Sequence, residues 1–132
     1  MIYLLDTDTL IYWLKGYKKI EEKIISEGLE NITTTIISKA ELYFGAYNSK
    51  FQTENLNAIK TLSDKLWILD FNDKSALIFG KLKAELKSQG KILLDFDIMI
   101  SSIAIAYNLI LVTNNTKHYA RIPDLRIENW IQ

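Results

Sequence analysis

The sequence has no cysteine, a single proline and a single histidine. The missing cysteine excludes a disulfide framework and any thiolate metal centre, and it suits a reducing compartment such as the cytoplasm. With His118 as the lone histidine, no His-rich metal motif exists and no Ser-His-Asp order can be drawn without it; a surface or cap role is its ordinary reading. There is also no excess charge of one sign. Lysine plus arginine number 16, as do aspartate plus glutamate. A generic nucleic-acid binder carries a basic surplus that captures phosphates, so any such contact here has to be local. Lys81, Lys83, Lys87 and Lys91 could supply a basic rim, although for any one of them a solvated helix face is the more ordinary reading. No apolar run approaches the roughly 20 residues of a membrane span. The opening MIYLLDTDTL lacks a basic segment and reaches Asp6 too early for a signal peptide. Neither a G-x-G-x-x-G nor a Walker loop is present, and there is no repeat or linker. A soluble protein with one domain over residues 1–132 is expected.

What is present is an apolar fraction of 48%, enough for a packed core at this length. Residues 2–5 form a short apolar run ending at Asp6, and a short helix over 7–15 follows. A second helix is expected over 18–28, and the β-branched run 32–37 reads as the next strand. Helical spacing returns at Ala40, Tyr43, Phe44 and Tyr47, and again at Leu56, Ile59 and Leu66. Strands are expected at 66–71, 109–113 and around 125–127, with a long helix through Ile78, Phe79, Leu82 and Leu86. Residues 97–107 are apolar on nearly every face, as in a helix at the centre of a fold. Strands alternating with helices imply an α/β fold, a three-layer α/β/α sandwich on a four- to five-stranded parallel sheet. Such sheets bind ligands beyond the carboxyl ends of their strands.

That rule directs attention to acids at the strand ends. Asp6 and Asp8 follow the first strand, Glu41 lies early in the helix after the second, and Asp95 and Asp97 open the central helix. Thr113, Asn114 and Asn115 close the fourth strand. Each acid has an ordinary explanation as a helix cap. Ser38 to Glu41 has the spacing of a capping box, with Ser38 at the N-cap and Glu41 reaching back. Yet a helix needs one capping group, and two of these junctions carry a pair of aspartates. Several carboxylates in one pocket raise one another's pKa unless a cation neutralises them. Mg²⁺ or Mn²⁺ does so through hard oxygen ligands, and such an ion activates water and polarises phosphoryl oxygens. On spacing alone a carboxylate metal site is indicated and its substrate is open. Tyr12, Trp13, Tyr43 and Tyr47 have the form of base-stacking residues, but aromatic residues at helical spacing are more often core or interface.

Three stretches resemble the PIN-domain nucleases, and among them the VapC-type toxins of toxin–antitoxin pairs. LLDTDTLIYWLKG is similar to the family's opening, IISKAELYFGA to the segment bearing its second acid, and DFDIMISSIAIAYNLILVTNNTKHYARIPDLRIENW to its closing block. The resemblance implies that Asp6, Glu41 and Asp97 bind Mg²⁺ (or Mn²⁺) and activate water. Asn115 falls where many PIN domains have a fourth acid, so one firmly held metal is expected rather than two, with Asp8 as a source of compensating charge. Thr113 is expected to hydrogen-bond a metal-bound water, and Asp95 has no counterpart. The implied activity is a metal-dependent endoribonuclease leaving 5′-phosphate and 3′-hydroxyl ends. The implied partners are a second copy of the chain and a cognate antitoxin that places a basic side chain among the acids. The V-T-N-N-T version of the closing block is similar to toxins that cut initiator tRNA in its anticodon loop.

Three rival readings stand beside this one. Asp6-Thr7-Asp8-Thr9 also satisfies the D-x-D-x-T signature of haloacid-dehalogenase-like phosphatases, but the later lysine and paired-acid motif have no good match. A receiver-like phosphoacceptor would use Asp70 and needs a Lys-Pro pair that is missing. A non-catalytic interaction module would use the acids as caps only.

Overall fold

A computed structural model describes residues 1–132. The first strand, β1 (Tyr3–Leu5), leads into α1 (Thr7–Leu14) and α2 (Lys18–Glu27). A 3₁₀ turn at Leu29–Asn31 precedes β2 (Ile32–Thr35), followed by α3 (Ile36–Tyr47) and α4 (Gln52–Ser63). Then come β3 (Trp67–Leu69), α5 (Asp73–Ser88), α6 (Asp95–Ala106), β4 (Ile110–Val112), α7 (Thr116–Tyr119) and β5 (Ile127–Glu128). All five strands are parallel, in the order β3-β2-β1-β4-β5. The α/β/α architecture expected from the alternating strand and helix patterns is present.

Alternation along the strands divides the core into two layers. Tyr3 and Leu5 face one way, toward Leu10, Ile20, Ile24, Leu42 and Ile59 of α1 to α4. Leu4 faces the other way, toward Leu82, Leu86, Ile98, Ile100 and Ile103 of α5 and α6. β4 repeats the division, with Leu111 in the second layer and Val112 in the first. Tyr12 and Trp13 pack against the first layer, whereas Tyr47 is exposed. The apolar helix α6 can be buried because its two serines satisfy themselves: Ser101 Oγ donates to the Asp97 carbonyl at 2.8 Å and Ser102 Oγ to that of Ile98 at 2.6 Å.

Several strands are shorter than their apolar runs. The run 32–37 is strand only to Thr35, because the Thr35 hydroxyl accepts from the Ser38 N–H at 3.0 Å and starts α3 at Ile36. The third strand contracts to 67–69, the fourth to 110–112, and the last lies at 127–128 rather than 125–127. The four-residue α7 had no periodic signal to announce it. Two turns set the chain's direction. Gly28 ends α2 at φ 92°, and Asn108 takes φ 56° after α6, its carbonyl and side-chain oxygen held by Arg126 at 2.9 and 3.1 Å.

Sheet order places the site. From β1 the chain moves outward to β2 and β3, then returns to the other side of β1 as β4. The order therefore reverses between β1 and β4, and the crevice at their carboxyl ends is open to a ligand.

Candidate active site

Asp6 leaves β1 at that crevice and caps α1, its Oδ1 accepting from the Thr7 N–H at 2.8 Å. Its Oδ2 accepts from Thr113 Oγ1, also at 2.8 Å, across from the end of β4. Only 6% of the residue is exposed. Burial above all, then the charge of Asp8, and more weakly that of Asp97, push its carboxyl up to about 7; the two hydrogen bonds oppose this.

Glu41 stands on the second turn of α3, half-buried. Its Oε1 accepts from Thr7 Oγ1 at 2.7 Å, and Ser38 Oγ lies 3.0 Å from the same hydroxyl. The capping box expected at Ser38 does not form. Thr35 is the N-cap, leaving Ser38 inside the helix and Glu41 free to face Thr7 instead of its own backbone. Burial chiefly, with the charge of Asp97, raises the Glu41 carboxyl; the Thr7 bond holds it down.

Asp97 lies in the first turn of α6, and Leu94, not an aspartate, is that helix's N-cap. Both of its oxygens are engaged from α7. His118 Nε2 is 2.8 Å from Oδ2, and Tyr119 Oη donates to Oδ1 at 3.1 Å. Burial and the charges of Asp6 and Asp97 push the Tyr119 phenol far above its ordinary range, so it is a permanent donor. His118 is therefore not the free surface residue its isolation in the sequence suggested. Its position six residues beyond β4, with Tyr119 next to it, was the available signal: a strand-end site extends into the first turn of the following helix. Thr7 and Ser38 were likewise unmarked, because small hydroxyls at helix starts read as caps.

The remaining expected residues divide. Asp8 does join the cluster, but it is tied to the β4 loop: its Oδ2 accepts from the Asn114 N–H at 3.0 Å and its Oδ1 lies 3.2 Å from Thr9 Oγ1. Thr113 is fully buried and gives its proton to Asp6, so it does not present that proton to a metal-bound water. Asn115 is exposed; its backbone N–H donates to Thr113 Oγ1 at 3.0 Å, and its side chain caps nothing. Asp95 points away to Lys83, 2.9 Å distant. Asp70 is exposed beyond the edge strand β3, away from the acids.

No lysine or arginine contributes to the shifts of Asp6 or Glu41. Asp6, buried, and Glu41, half-buried, have no basic side chain against them and suit a divalent cation with hard oxygen ligands; Asp97 alone has an imidazole beside it. No three acid or histidine side chains close around a single point. That arrangement fits an ion held by one or two carboxylates and otherwise by water, the manner of Mg²⁺, better than a fully enclosed one.

The PIN domain family model matches residues 3–125, nearly the whole chain. The chain belongs to the PIN-domain family. Among its relatives, Ribonuclease VapC2 of Haemophilus influenzae is 37% identical over 129 residues, 98% of each chain. The tRNA(fMet)-specific endonuclease VapC of Salmonella typhimurium is 30% identical over 128 residues, 97% of each. In the crystal structure of VapBC2 from Rickettsia felis bound to a DNA fragment from its promoter, one chain superposes with a TM-score of 0.92 at 36% identity. The match covers 98% of this PIN domain and 99% of that chain. The VapC ribonucleases are thus the branch of the family to which this PIN domain is similar throughout. The phosphatase and receiver readings fall with that assignment.

Proposed function

We propose that this chain is an RNA-cleaving hydrolase, the toxin of a toxin–antitoxin pair, and that residues 1–132 act as one nuclease domain in the cytoplasm. Its reaction centre is Asp6, Glu41 and Asp97, which hold Mg²⁺ or Mn²⁺ partly directly and partly through its bound water. The observation that carries this is the Asp6 carboxyl, buried within the influence of the Asp8 and Asp97 charges with no basic side chain opposing it. When bound, the ion supplies the charge that makes water a nucleophile and offsets charge on the phosphoryl oxygens.

The chain's own residues supply orientation. Thr7 links two of the acids, its backbone N–H serving Asp6 and its hydroxyl serving Glu41. Thr113 joins Asp6 to the β4 loop, and Asp8 docks that loop through Asn114. Asp6 and Glu41 are thereby oriented as acceptors at the crevice, and Asp97 is oriented from α7 by His118 and Tyr119. A groove lined by Lys83, Lys87 and Lys91 over Leu86, Leu93 and Ile98 runs beside the start of α6. Lys81 is exposed outside it. We place flanking RNA phosphates along these three lysines, the local basic surface that a neutral protein needs.

The antitoxin reading is supported by a second groove, between α1, α3 and α4. Ile11, Leu14, Leu42, Ala46 and Ile59 line it, and Glu41 lies at its edge. An amphipathic antitoxin helix seated there would bring a basic side chain within reach of the acids. Exposed Ile92, Leu94 and Phe96, leading into α6, give a homodimer an apolar face near Asp97. The name of the Salmonella relative makes initiator tRNA the first substrate to test.

Incubating the purified chain with initiator tRNA and with bulk RNA, with Mg²⁺, Mn²⁺ or a chelator, tests the reading. Metal-dependent cuts leaving 5′-phosphate and 3′-hydroxyl ends are expected, and Asp6→Asn or Asp97→Asn should reduce the rate by about 10² or more while the circular-dichroism spectrum is unchanged. Cleavage that persists in both variants would remove the assigned centre.

A further inference from the structure

The short helix α7 serves no obvious packing need beyond its one buried ring. Tyr119 is fully buried in the core layer that contains Leu4, Leu111 and Ile98. A phenylalanine would fill that space, so the hydroxyl is an added polar atom at the acid edge of the core. It has a partner: Oη donates to Asp97 Oδ1 at 3.1 Å, and it also lies within the influence of the Asp6 charge. His118, the preceding residue, takes the other Asp97 oxygen at 2.8 Å. A carboxylate with one donor on each oxygen has one orientation, and donors behind a metal-binding carboxylate set its direction and basicity.

The helix carrying these donors is itself tied to the opposite acid. Thr113 Oγ1 donates to Asp6 and accepts from the Asn115 N–H. The Asn115 carbonyl in turn accepts from the His118 and Tyr119 N–H groups at 3.1 and 3.3 Å. Asp6 and Asp97 are therefore joined by a continuous path through Thr113 and α7.

We propose that Tyr119, seconded by His118, is a positioning residue that sets how Asp97 meets the divalent ion. This rests on Asp97 being a metal-binding residue, as argued above. The hydroxyl acts through Asp97 and touches neither ion nor RNA, so its removal changes metal affinity and leaves the bound reaction intact.

The test is Tyr119→Phe, which keeps the ring and deletes one oxygen. Mn²⁺ binding to the RNA-free protein is measured by the electron paramagnetic resonance of free Mn²⁺, below the melting temperature of each variant. A dissociation constant weakened about tenfold or more is expected, with half-saturating Mn²⁺ for RNA cleavage rising by the same factor. At saturating Mn²⁺, kcat and the KM for RNA should remain within about twofold of the parent. His118→Gln, whose amide N–H can still serve Asp97, should bind Mn²⁺ more tightly than His118→Ala. An unchanged or tighter Mn²⁺ constant in Tyr119→Phe overturns the proposal. Asp97→Asn separates the two levels. If it weakens Mn²⁺ binding while Tyr119→Phe does not, the positioning role alone is lost. If neither variant weakens binding, the assignment of Asp97 is lost and the positioning role goes with it.

Discussion

Asp6 is held in the folded protein in a state that an isolated carboxyl would avoid. Its pKa rises from an ordinary 3.8 to about 7, so the folded chain binds the proton more tightly than the unfolded chain does. The associated stability is fully present below about pH 4 and disappears as the pH rises through 7. Above that, keeping Asp6 charged costs about 4 kcal/mol in the metal-free protein. Asp6→Asn is accordingly expected to raise the metal-free melting temperature at pH 8 and leave it nearly unchanged at pH 4. Mg²⁺ should stabilise the parent at pH 8 and have much less effect on the variant. Equal differences at both pH values in calorimetry would contradict this account. At the same scale lies the clearest gap between sequence and structure. Asp6 and Asp97 were visible because paired aspartates at strand ends exceed what capping needs, and Glu41 only through the resemblance of the segment that bears it. Thr7, His118 and Tyr119 were not, since a hydroxyl or an imidazole reveals its role only once its partner, 21 to 34 positions away, is brought next to it.

Among the elements, α3 shows how a cap sets a site. Thr35 ends β2 and starts the helix that carries Glu41, and it is fully buried. Thr35→Val keeps the shape but leaves the Ser38 N–H without its acceptor, at a cost of about 1 to 2 kcal/mol. We expect a lower midpoint in urea and, because the first turn loosens, a fall in cleavage rate larger than stability alone predicts; Thr35→Ser should restore both. Here the sequence misled for a definite reason. The run 32–37 is β-branched throughout, so nothing in composition marks where strand becomes helix, and Ser38 had the better capping spacing. The other element boundaries moved by only a few residues, while the order of strands and helices followed directly from the alternating periods. Only α7, too short to have a period, was absent from that reading.

On the scale of the whole molecule, neutrality of the chain hides an uneven surface. Lys83, Lys87 and Lys91 line one groove, and the acids lie in the crevice between β1 and β4. Lys87→Ala with Lys91→Ala should weaken RNA binding roughly tenfold at low salt and make the logarithm of affinity less steep against that of salt concentration, by one to two units of slope. Filter binding across a salt series measures both, and an unchanged slope would remove these lysines from the RNA path. The pair lies outside the acid cluster, so the variant should keep its metal affinity.

The reversal of strand order has a consequence in time as well as in space. Asp6 receives the Thr113 hydroxyl across a separation of 107 residues, and Asp97 receives its two donors from residues made later still. During synthesis from the N-terminus, β1 has no partner for its second edge until β4 emerges. A ribosome-bound chain lacking that strand has Asp6 and Glu41 but neither the crevice nor an oriented Asp97. For a protein whose activity would destroy the RNA of the cell making it, the hazard begins only once β4 and α7 have been made.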